Sequence, residues 1–189
     1  MNSIEIMMEE HRYISRMLKV VRKACLGILK GQSICFEDFY QMVDFIRNYA
    51  DAHHHGKEEK FLFKEMENHL GSLGSKLIRN GMLVEHDLGR LYIKDLIEAL
   101  DEVKAGNEER KLDVIAHAIS YTHLLERHIA KEDEVVYSFG ARQLPKEILE
   151  RVDEKSALFE EEAAHQGTQT RYIHLLIELE EKYGLAKEA

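Results

Sequence analysis

The chain has 189 residues, enough for one domain with a proper core or for a core domain with a short appendage. It contains one proline, no tryptophan and 32% charged residues, a composition that favours long helices over sheet. The formal net charge of −9 argues against nucleic acid as a partner. The apolar runs are too short to cross a bilayer, and the acidic N-terminus lacks the basic region of a signal peptide. We therefore expect a cytoplasmic protein without a membrane span.

Apolar residues recur at helical spacing over four long segments. The first begins after Asn2, which forms a capping-box pattern with Glu5, and stops before Gly31. Short links imply antiparallel neighbours, so the sequence predicts an all-α, up-down-up-down four-helix bundle. The four predicted helices are 3–29, 36–66, 82–103 and 109–137.

Two stretches lie outside these four helices. The segment 69–81 carries several glycines that break the pattern, and at most a short helical turn is expected there. After Pro145, two more helical segments are predicted, divided by Gly167. We therefore expect residues 1–142 to form the bundle and residues 143–189 a C-terminal helical extension packed on it. These C-terminal helices are candidates for contact with a protein partner or a second copy of the chain.

Histidines interrupt the apolar faces of the first and third predicted helices. His11 lies three residues after Met8 and three before Ile14, on the predicted buried stripe. His86 lies between Leu83 and Ile93 and also points inward. A single inward histidine is more often a hydrogen-bonded core residue than a metal ligand, so neither position decides the function alone.

The second predicted helix carries a run of three histidines. Its apolar face continues to His54 and, one turn later, to Glu58. His55 is expected on the exposed side, and His53 lies at the other margin of the apolar face. Periodicity prefers His54 to His53 only mildly, but the residue one turn after His53 is Lys57, which cannot help to bind a cation. We therefore select His54.

The fourth predicted helix repeats this pairing of histidine and glutamate. Its apolar line passes from Leu125 to His128, then to Glu132, and is expected to resume at Val135. A spacing of four residues places an imidazole and a carboxylate on one side of a helix. Asp133 is rotated by about 100° from Glu132, towards the exposed side.

Four inward histidines and two inward glutamates are difficult to satisfy by hydrogen bonds in an apolar core, and dications would compensate the carboxylates most simply. Six ligands would saturate one octahedral ion, whereas two shared glutamates would let two ions bind and leave room for a small ligand. Imidazole and carboxylate suit iron, manganese or zinc, and the lack of thiolates argues against a structural zinc site. The predicted metal ligands are His11, His54, Glu58, His86, His128 and Glu132.

The sequence resembles the hemerythrin-like family, also called the HHE cation-binding domain, over about residues 4–140. The resemblance rests on His11, on His54-His55-Gly56-Lys57-Glu58, on Glu85-His86 and on His128-Ile129-Ala130-Lys131-Glu132. It implies two iron ions in an oxo- or hydroxo-bridged centre, with manganese or zinc as possible substitutes. It also implies that the four histidines are terminal ligands and that Glu58 and Glu132 bridge the ions.

The sequence departs from the oxygen-carrying members of that family at two positions. Arg90 occupies the place of a further histidine, and the last carboxylate of the carriers would correspond to Asp133 rather than Glu132. Losing a histidine opens a coordination position, so we expect a protein that binds or reacts with dioxygen, nitric oxide or peroxide in sensing, detoxification or iron handling. The alternatives are an enzyme of oxidative or nitrosative stress defence or of iron–sulfur cluster repair, and a metal-stabilised structural bundle. Whether Arg90 or Glu85 acts near the open position is left undecided by the sequence.

Overall fold

The computed structural model describes residues 1–185, and it is all-helical, with six helices and no strand in that range. No helix in the described part of the chain is long and apolar enough to cross a membrane. Helix α1 packs against α2 and α4, and α3 packs against the same two helices. The six helices are α1 (Ser3–Leu29), α2 (36–69), α3 (71–104), α4 (111–143), α5 (Lys146–His165) and α6 (Thr168–Lys182).

The predicted bounds of the first helix are confirmed, together with its cap. The Asn2 side chain accepts a hydrogen bond from the Glu5 amide at 2.9 Å, and the Glu5 carboxylate accepts one from the Asn2 amide at 3.0 Å. This reciprocal pair satisfies two amides that have no partner within the helix. Beyond the other end of α1, Gly31 takes a φ of +83°, a conformation that favours glycine and turns the chain away from the helix.

Three of the long helices contain π-helical segments, in which amides bond to carbonyls five residues back instead of four. The amide of Phe63 bonds to the carbonyl of Glu58, and the amide of Tyr137 bonds to that of Glu132. These wider turns advance by less than the 100° per residue of an α-helix, so side chains beyond them leave the register that a regular helix predicts. The π-helical segments are Ile46–His55 and Glu58–Leu62 in α2, Ile78–Met82 in α3 and Glu132–Val136 in α4.

The expectation of a mostly non-helical stretch at 69–81 was wrong. Helix α3 begins at Gly71, continues through Gly71–Leu77 and Ile78–Met82, and joins Leu83–Lys104 without interruption. Only Gly71 marks the break from α2, with a φ of +61°. The glycines within the segment did not end the helix, because its apolar residue Ile78 is completely buried and holds the segment against the core.

Helices α5 and α6 fold back over the four long helices as a hairpin. Gly167 divides them, as predicted, with a φ of +71°. The Arg16 guanidinium donates two hydrogen bonds to the Glu180 carboxylate, at 2.8 and 2.5 Å, and so ties α6 to α1. Tyr172, Leu176 and Leu179 of α6 belong to the same apolar core as the long helices. Residues 186–189 of the expected extension lie outside the described residues.

The buried apolar side chains form two separate clusters along the long helices. The larger cluster contains Ile14, Ala50, Ile93 and Ile129, and the smaller contains Met7, Leu62, Met82 and Val136. In α1, α2 and α3 the predicted ligand residues lie between the members of these clusters, and in α4 they lie at the same level. The fold therefore encloses a polar layer between two apolar ones.

Candidate metal centre

The structure buries all six of the predicted ligand residues and brings them together. Their exposed fractions do not exceed 2%. They come from four different helices and converge on two neighbouring points. At each point, four side chains place nitrogen or oxygen atoms within 4.8 Å of one another.

The first group consists of His11, His54, Glu58 and Glu132. The Nε2 atom of His11 lies 3.3 Å from Oε2 of Glu132, and Nε2 of His54 lies 3.8 Å from Oε2 of Glu58. Donors that bind one ion at about 2.1 Å are separated from their neighbours by about 3 to 4 Å. The spacing in this group therefore suits a single cation.

The second group consists of His55, Glu58, His86 and His128. The Nε2 atom of His86 lies 3.5 Å from Oε2 of Glu58 and 3.1 Å from Nε2 of His128. Glu132 reaches this group as well, because its Oε1 lies 3.1 Å from Nε2 of His128. Both glutamates thus stand between the two groups and could contact a cation in either.

The expectation that His55 lies on the exposed side was wrong. Only 4% of His55 is exposed, and its ring stacks on that of His86 with centroids 3.8 Å apart. The cause is the π-helical segment Ile46–His55, which delays the rotation of the helix and turns His55 inward beside His54. Side-chain spacing alone gave no signal of this change, since it assumes regular α-helical turns.

A second π-helical segment changes which residues are buried after Glu132. Val135 was expected to resume the buried face, but it is 52% exposed, whereas Val136 is 1% exposed. The π-helical segment Glu132–Val136 moves the buried face by one residue. Asp133, expected towards the exposed side, has 30% of its side chain exposed. Glu132 itself is fully buried.

A carboxylate holds the Nδ1 side of every histidine in the two groups. Such a bond fixes the orientation of the imidazole and leaves Nε2 free to face a cation. Sequence spacing did not predict these partners, because most pairs join different helices. The Nδ1–oxygen distances are 2.7 Å for His11–Asp133, 2.8 Å for His54–Glu10, 3.3 Å for His55–Asp51, 2.7 Å for His86–Glu59 and 2.8 Å for His128–Glu85.

Arg90 and Glu85 both act behind the histidines. Arg90 donates hydrogen bonds to Asp51 and Glu59, each at 2.7 Å at the closest, and so braces the partners of two histidines. Glu85 accepts a hydrogen bond from His128, not from the neighbouring His86, and also forms an ion pair with Lys131. Neither side chain reaches the inner faces of the imidazoles.

A third cluster of titratable side chains lies behind His54 and extends to α5. Glu10 is 4% exposed and accepts hydrogen bonds from His54, from His53 and from the ammonium of Lys57. Lys57 is 1% exposed and also donates to Glu160 of α5. Lys57 and His53 each contact both carboxylates, so two basic side chains face the two acidic ones in this cluster.

The two shared glutamates are not compensated in this way. Oε2 of Glu58, both carboxylate oxygens of Glu132 and Nε2 of His54 are buried and form no hydrogen bond within the described residues. The imidazoles of His11 and His128 lie 3.3 and 3.1 Å from the Glu132 oxygens, but they are not in hydrogen-bonding geometry. Burial raises the pKa of Glu58 well above its ordinary value, and the adjacent Glu132 carboxylate raises it further. Burial also acts to raise the pKa of Glu132, but His128 and His11 lower it well below its ordinary value. Unpartnered buried acceptors between imidazoles fit a bound cation, which would satisfy them together.

Tyr137 closes one side of the first group. Its hydroxyl donates a hydrogen bond to Oε1 of Glu58 at 2.5 Å, and its ring stacks on that of His11 with centroids 5.6 Å apart. Burial and the Glu58 carboxylate raise the pKa of Tyr137, so the hydroxyl keeps its proton. Tyr137 therefore orients Glu58 beside the first group, a role that sequence analysis had not singled out.

The remaining histidines lie away from the two groups. His117 is half-buried, and it belongs to neither group. Four others are exposed: they are His69, His123, His165 and His174.

Comparison with known proteins identifies the domain. A model of the hemerythrin HHE cation-binding domain matches residues 2–139. An uncharacterized protein of Mycobacterium bovis and two of Mycobacterium tuberculosis are each 25% identical to the chain over 133 residues, which is 70% of this chain and 51% of each relative. The chain thus spans about half the length of the curated relatives it matches. No solved structure shows significant similarity to it. Because the domain model covers most of the chain, the protein belongs to the hemerythrin HHE cation-binding family.

Proposed function

We propose that this protein binds two iron ions and uses them to bind or react with a small ligand such as dioxygen, nitric oxide or peroxide. The observation that carries the proposal is the pair of buried glutamates, Glu58 and Glu132, whose unpartnered oxygens lie between two sets of imidazoles. Five histidines and two glutamates would hold the ions: His11, His54, His55, His86, His128, Glu58 and Glu132.

The choice of metal follows from the donors. Imidazole nitrogen and carboxylate oxygen suit iron, and they also accept manganese or zinc as substitutes. The first group offers two imidazoles and the second offers three. With both glutamates shared, the ion in the first group has fewer protein donors, so a small ligand would bind there.

The protein side chains near the first group define what a small ligand would meet. Bound iron would supply a Lewis acid and a redox centre. The Tyr137 hydroxyl lies 3.5 Å from Nε2 of His11 and donates its one proton to Oε1 of Glu58, so it orients a shared carboxylate beside this group. Asp133 and Glu10 orient the two imidazoles through their Nδ1 atoms. The apolar cluster that includes Met7 and Leu62 limits access of water from one side.

We infer an up-down-up-down arrangement of α1 to α4, with residues 1–142 as the metal-binding bundle and residues 143–189 as an extension packed on it. The short connections between successive long helices support antiparallel packing. The contacts of Arg16 with Glu180 and of Lys57 with Glu160 support the docking of the extension.

The partners and location of the protein are also inferred. Leu158 of α5 is 68% exposed and Ile177 of α6 is 37% exposed, which supports a protein partner or a homodimer contact through the C-terminal helices. The acidic composition argues against a nucleic-acid partner, and we infer a cytoplasmic location. The chain spans about half the length of its curated relatives, so any activity assigned to the whole protein is itself a proposal.

Metal content and spectroscopy test the proposal. The protein is purified without air, its iron is quantified, and its absorption spectrum is recorded before and after exposure to air or to nitric oxide. We expect about two irons per chain and a spectral change on exposure. Saturation at one metal, retention of zinc alone when iron is supplied, or an unchanged spectrum would contradict it. Where a ligand histidine is replaced, the exposed His123→Ala variant serves as the control.

A further inference from the structure

A cavity of about 250 Å³ opens between α2, α3 and α4, beside the second group of ligands. His55 and His86 form part of its wall, and Ile46 and Ile93 give it an apolar surface. The volume is about eight times the roughly 30 Å³ that a water molecule occupies in the liquid. The cavity is therefore larger than a diatomic ligand requires and smaller than most pockets for drug-sized molecules.

The Tyr121 side chain lines this cavity and is only 2% exposed. Its hydroxyl has no hydrogen-bond partner in the described residues. Burial raises the pKa of Tyr121, and the Asp51 carboxylate, which also lines the cavity, raises it further, so the hydroxyl remains a donor. A buried donor without a partner is unfavourable, and a ligand with an acceptor atom in the cavity would satisfy it.

The two arginines that line the cavity differ in their pairing. Arg90 is paired with Asp51, Glu59 and Asp87, so its charge is balanced. Arg47 is exposed and forms no ion pair with any residue in the range 1–185. Arg47 is therefore the cation at the mouth of the cavity that remains available to pair with an anionic ligand.

Gly89 leaves the space open on the α3 side. A Cβ atom there would lie 3.5 Å from Cε2 of Tyr121 and 3.7 Å from Cδ2 of Leu125, which is ordinary van der Waals contact. Alanine would therefore fit without strain, whereas a larger side chain would extend into the cavity. This position offers a way to fill the cavity without touching a predicted metal ligand.

We propose that this cavity binds a small organic acid: its carboxylate pairs with Arg47, its apolar body lies between Ile46 and Ile93, and a neutral oxygen accepts a hydrogen bond from Tyr121. The inner oxygen is neutral because the Asp51 carboxylate would repel a second negative charge. The ligand does not bind the metal, since the imidazoles of His55 and His86 stand between it and the shared glutamates. The proposal is independent of the nature of the metal.

Calorimetry on the protein as purified, with three probe compounds, tests this assignment. Levulinate carries a carboxylate and a ketone, pentanoate lacks the ketone, and methyl levulinate lacks the charge. We expect saturable binding of levulinate in the millimolar range or tighter. Pentanoate should bind about tenfold more weakly, since it forgoes one hydrogen bond to a buried donor. Methyl levulinate should bind about fivefold more weakly, since it forgoes an ion pair at an exposed arginine.

Two variants assign these losses to individual residues. Tyr121→Phe should bind levulinate and pentanoate equally, and Arg47→Gln should bind levulinate and its methyl ester equally. Gly89→Leu should abolish binding of all three. Lys146→Gln, which removes one positive charge at an 84% exposed side chain of α5, is the control and should bind as the parent does. No saturable binding of levulinate, or an unchanged preference for levulinate over pentanoate in Tyr121→Phe, would overturn the proposal.

Discussion

The two ligand groups share their glutamates but differ in their surroundings. The first has two histidines, and one of them is held by the buried Glu10, which is linked through Lys57 to α5. The second has three histidines, and the carboxylates behind them are only partly buried; two of these, Asp51 and Glu59, are bonded to Arg90. Glu10 thus gives the first group one carboxylate that is more deeply buried than any behind the second, whereas Asp133, behind His11, is 30% exposed. We therefore expect metal affinity in the first group to depend most on Glu10, and in the second on the number of ligands.

The largest effect is expected where the two groups are joined. Glu132→Ala should remove most of both metals, since each ion would lose a ligand and Glu58 would be left undercompensated. Asp133→Ala should retain most of the metal, because Asp133 contacts only the far side of His11. Iron per chain, measured by elemental analysis, distinguishes the two. Glu134→Ala, at an exposed position, is the control. Two irons and an unchanged spectrum in Glu132→Ala would assign the shared role to Asp133 instead.

The next effect concerns neighbouring histidines that serve different groups. His54→Ala removes one of two imidazoles from the first group and should release the ion there. His55→Ala leaves two imidazoles in the second group and should weaken binding without abolishing it. Metal titration of the stripped proteins should show one strong site in His54→Ala and two sites, one weakened, in His55→Ala. If His55→Ala bound metal at both sites as tightly as the exposed control His123→Ala, the assignment of His55 to the second group would be wrong.

Replacing the carboxylates that hold the Nδ1 atoms of the histidines tests whether the buried Glu10 matters more for metal affinity than the partly exposed Glu85. Glu10→Gln should lower metal affinity in the first group by about 10- to 100-fold, the usual range for such partners, because a buried amide cannot neutralise Lys57 and hold two histidines. Glu85→Gln should lie at the bottom of that range, since 20% of the Glu85 side chain is exposed and water can replace it. Competition with a chelator measures both. Glu9→Gln, one position away on α1, is the control, and equal losses for Glu10 and Glu85 would remove the distinction between the groups.

The smallest effect is expected furthest from the metals. Glu160→Gln should lower metal affinity in the first group by a few fold and leave the second unchanged, because it weakens contacts with Lys57 and His53, which reach the first group only through Glu10. Glu161→Gln is a matched control, since Glu161 is exposed on the same helix. The same chelator competition measures both variants. If the metal affinity of the second group alone changed, α5 would influence the metals by a route other than Lys57.

Regular helices made much of the site predictable. His11 and His86 lie in α-helical segments, and apolar spacing placed both correctly on the buried face. His55 and Val135 were misplaced because π-helical turns, which spacing does not reveal, change the register. The carboxylate partners were missed for another reason: the contact between Glu10 and His54 joins residues 44 positions apart, and only packing brings them together.

The π-helical segment in α4 also governs how the gene can change. A π turn contains one residue more than an α turn, so the segment Glu132–Val136 holds an extra residue without forming a loop. Losing a single codon there, such as that of Glu134, would let α4 return to α-helical winding. Tyr137 would then follow His128 by eight residues at about 100° each, which points it in nearly the same direction as the present nine residues with their wider turn, so its hydroxyl would stay near Glu58. The same deletion in a regular α-helical turn would rotate everything beyond it by about 100°. The π-helical segment is therefore the part of α4 that can lose a residue while the ligand environment keeps its register.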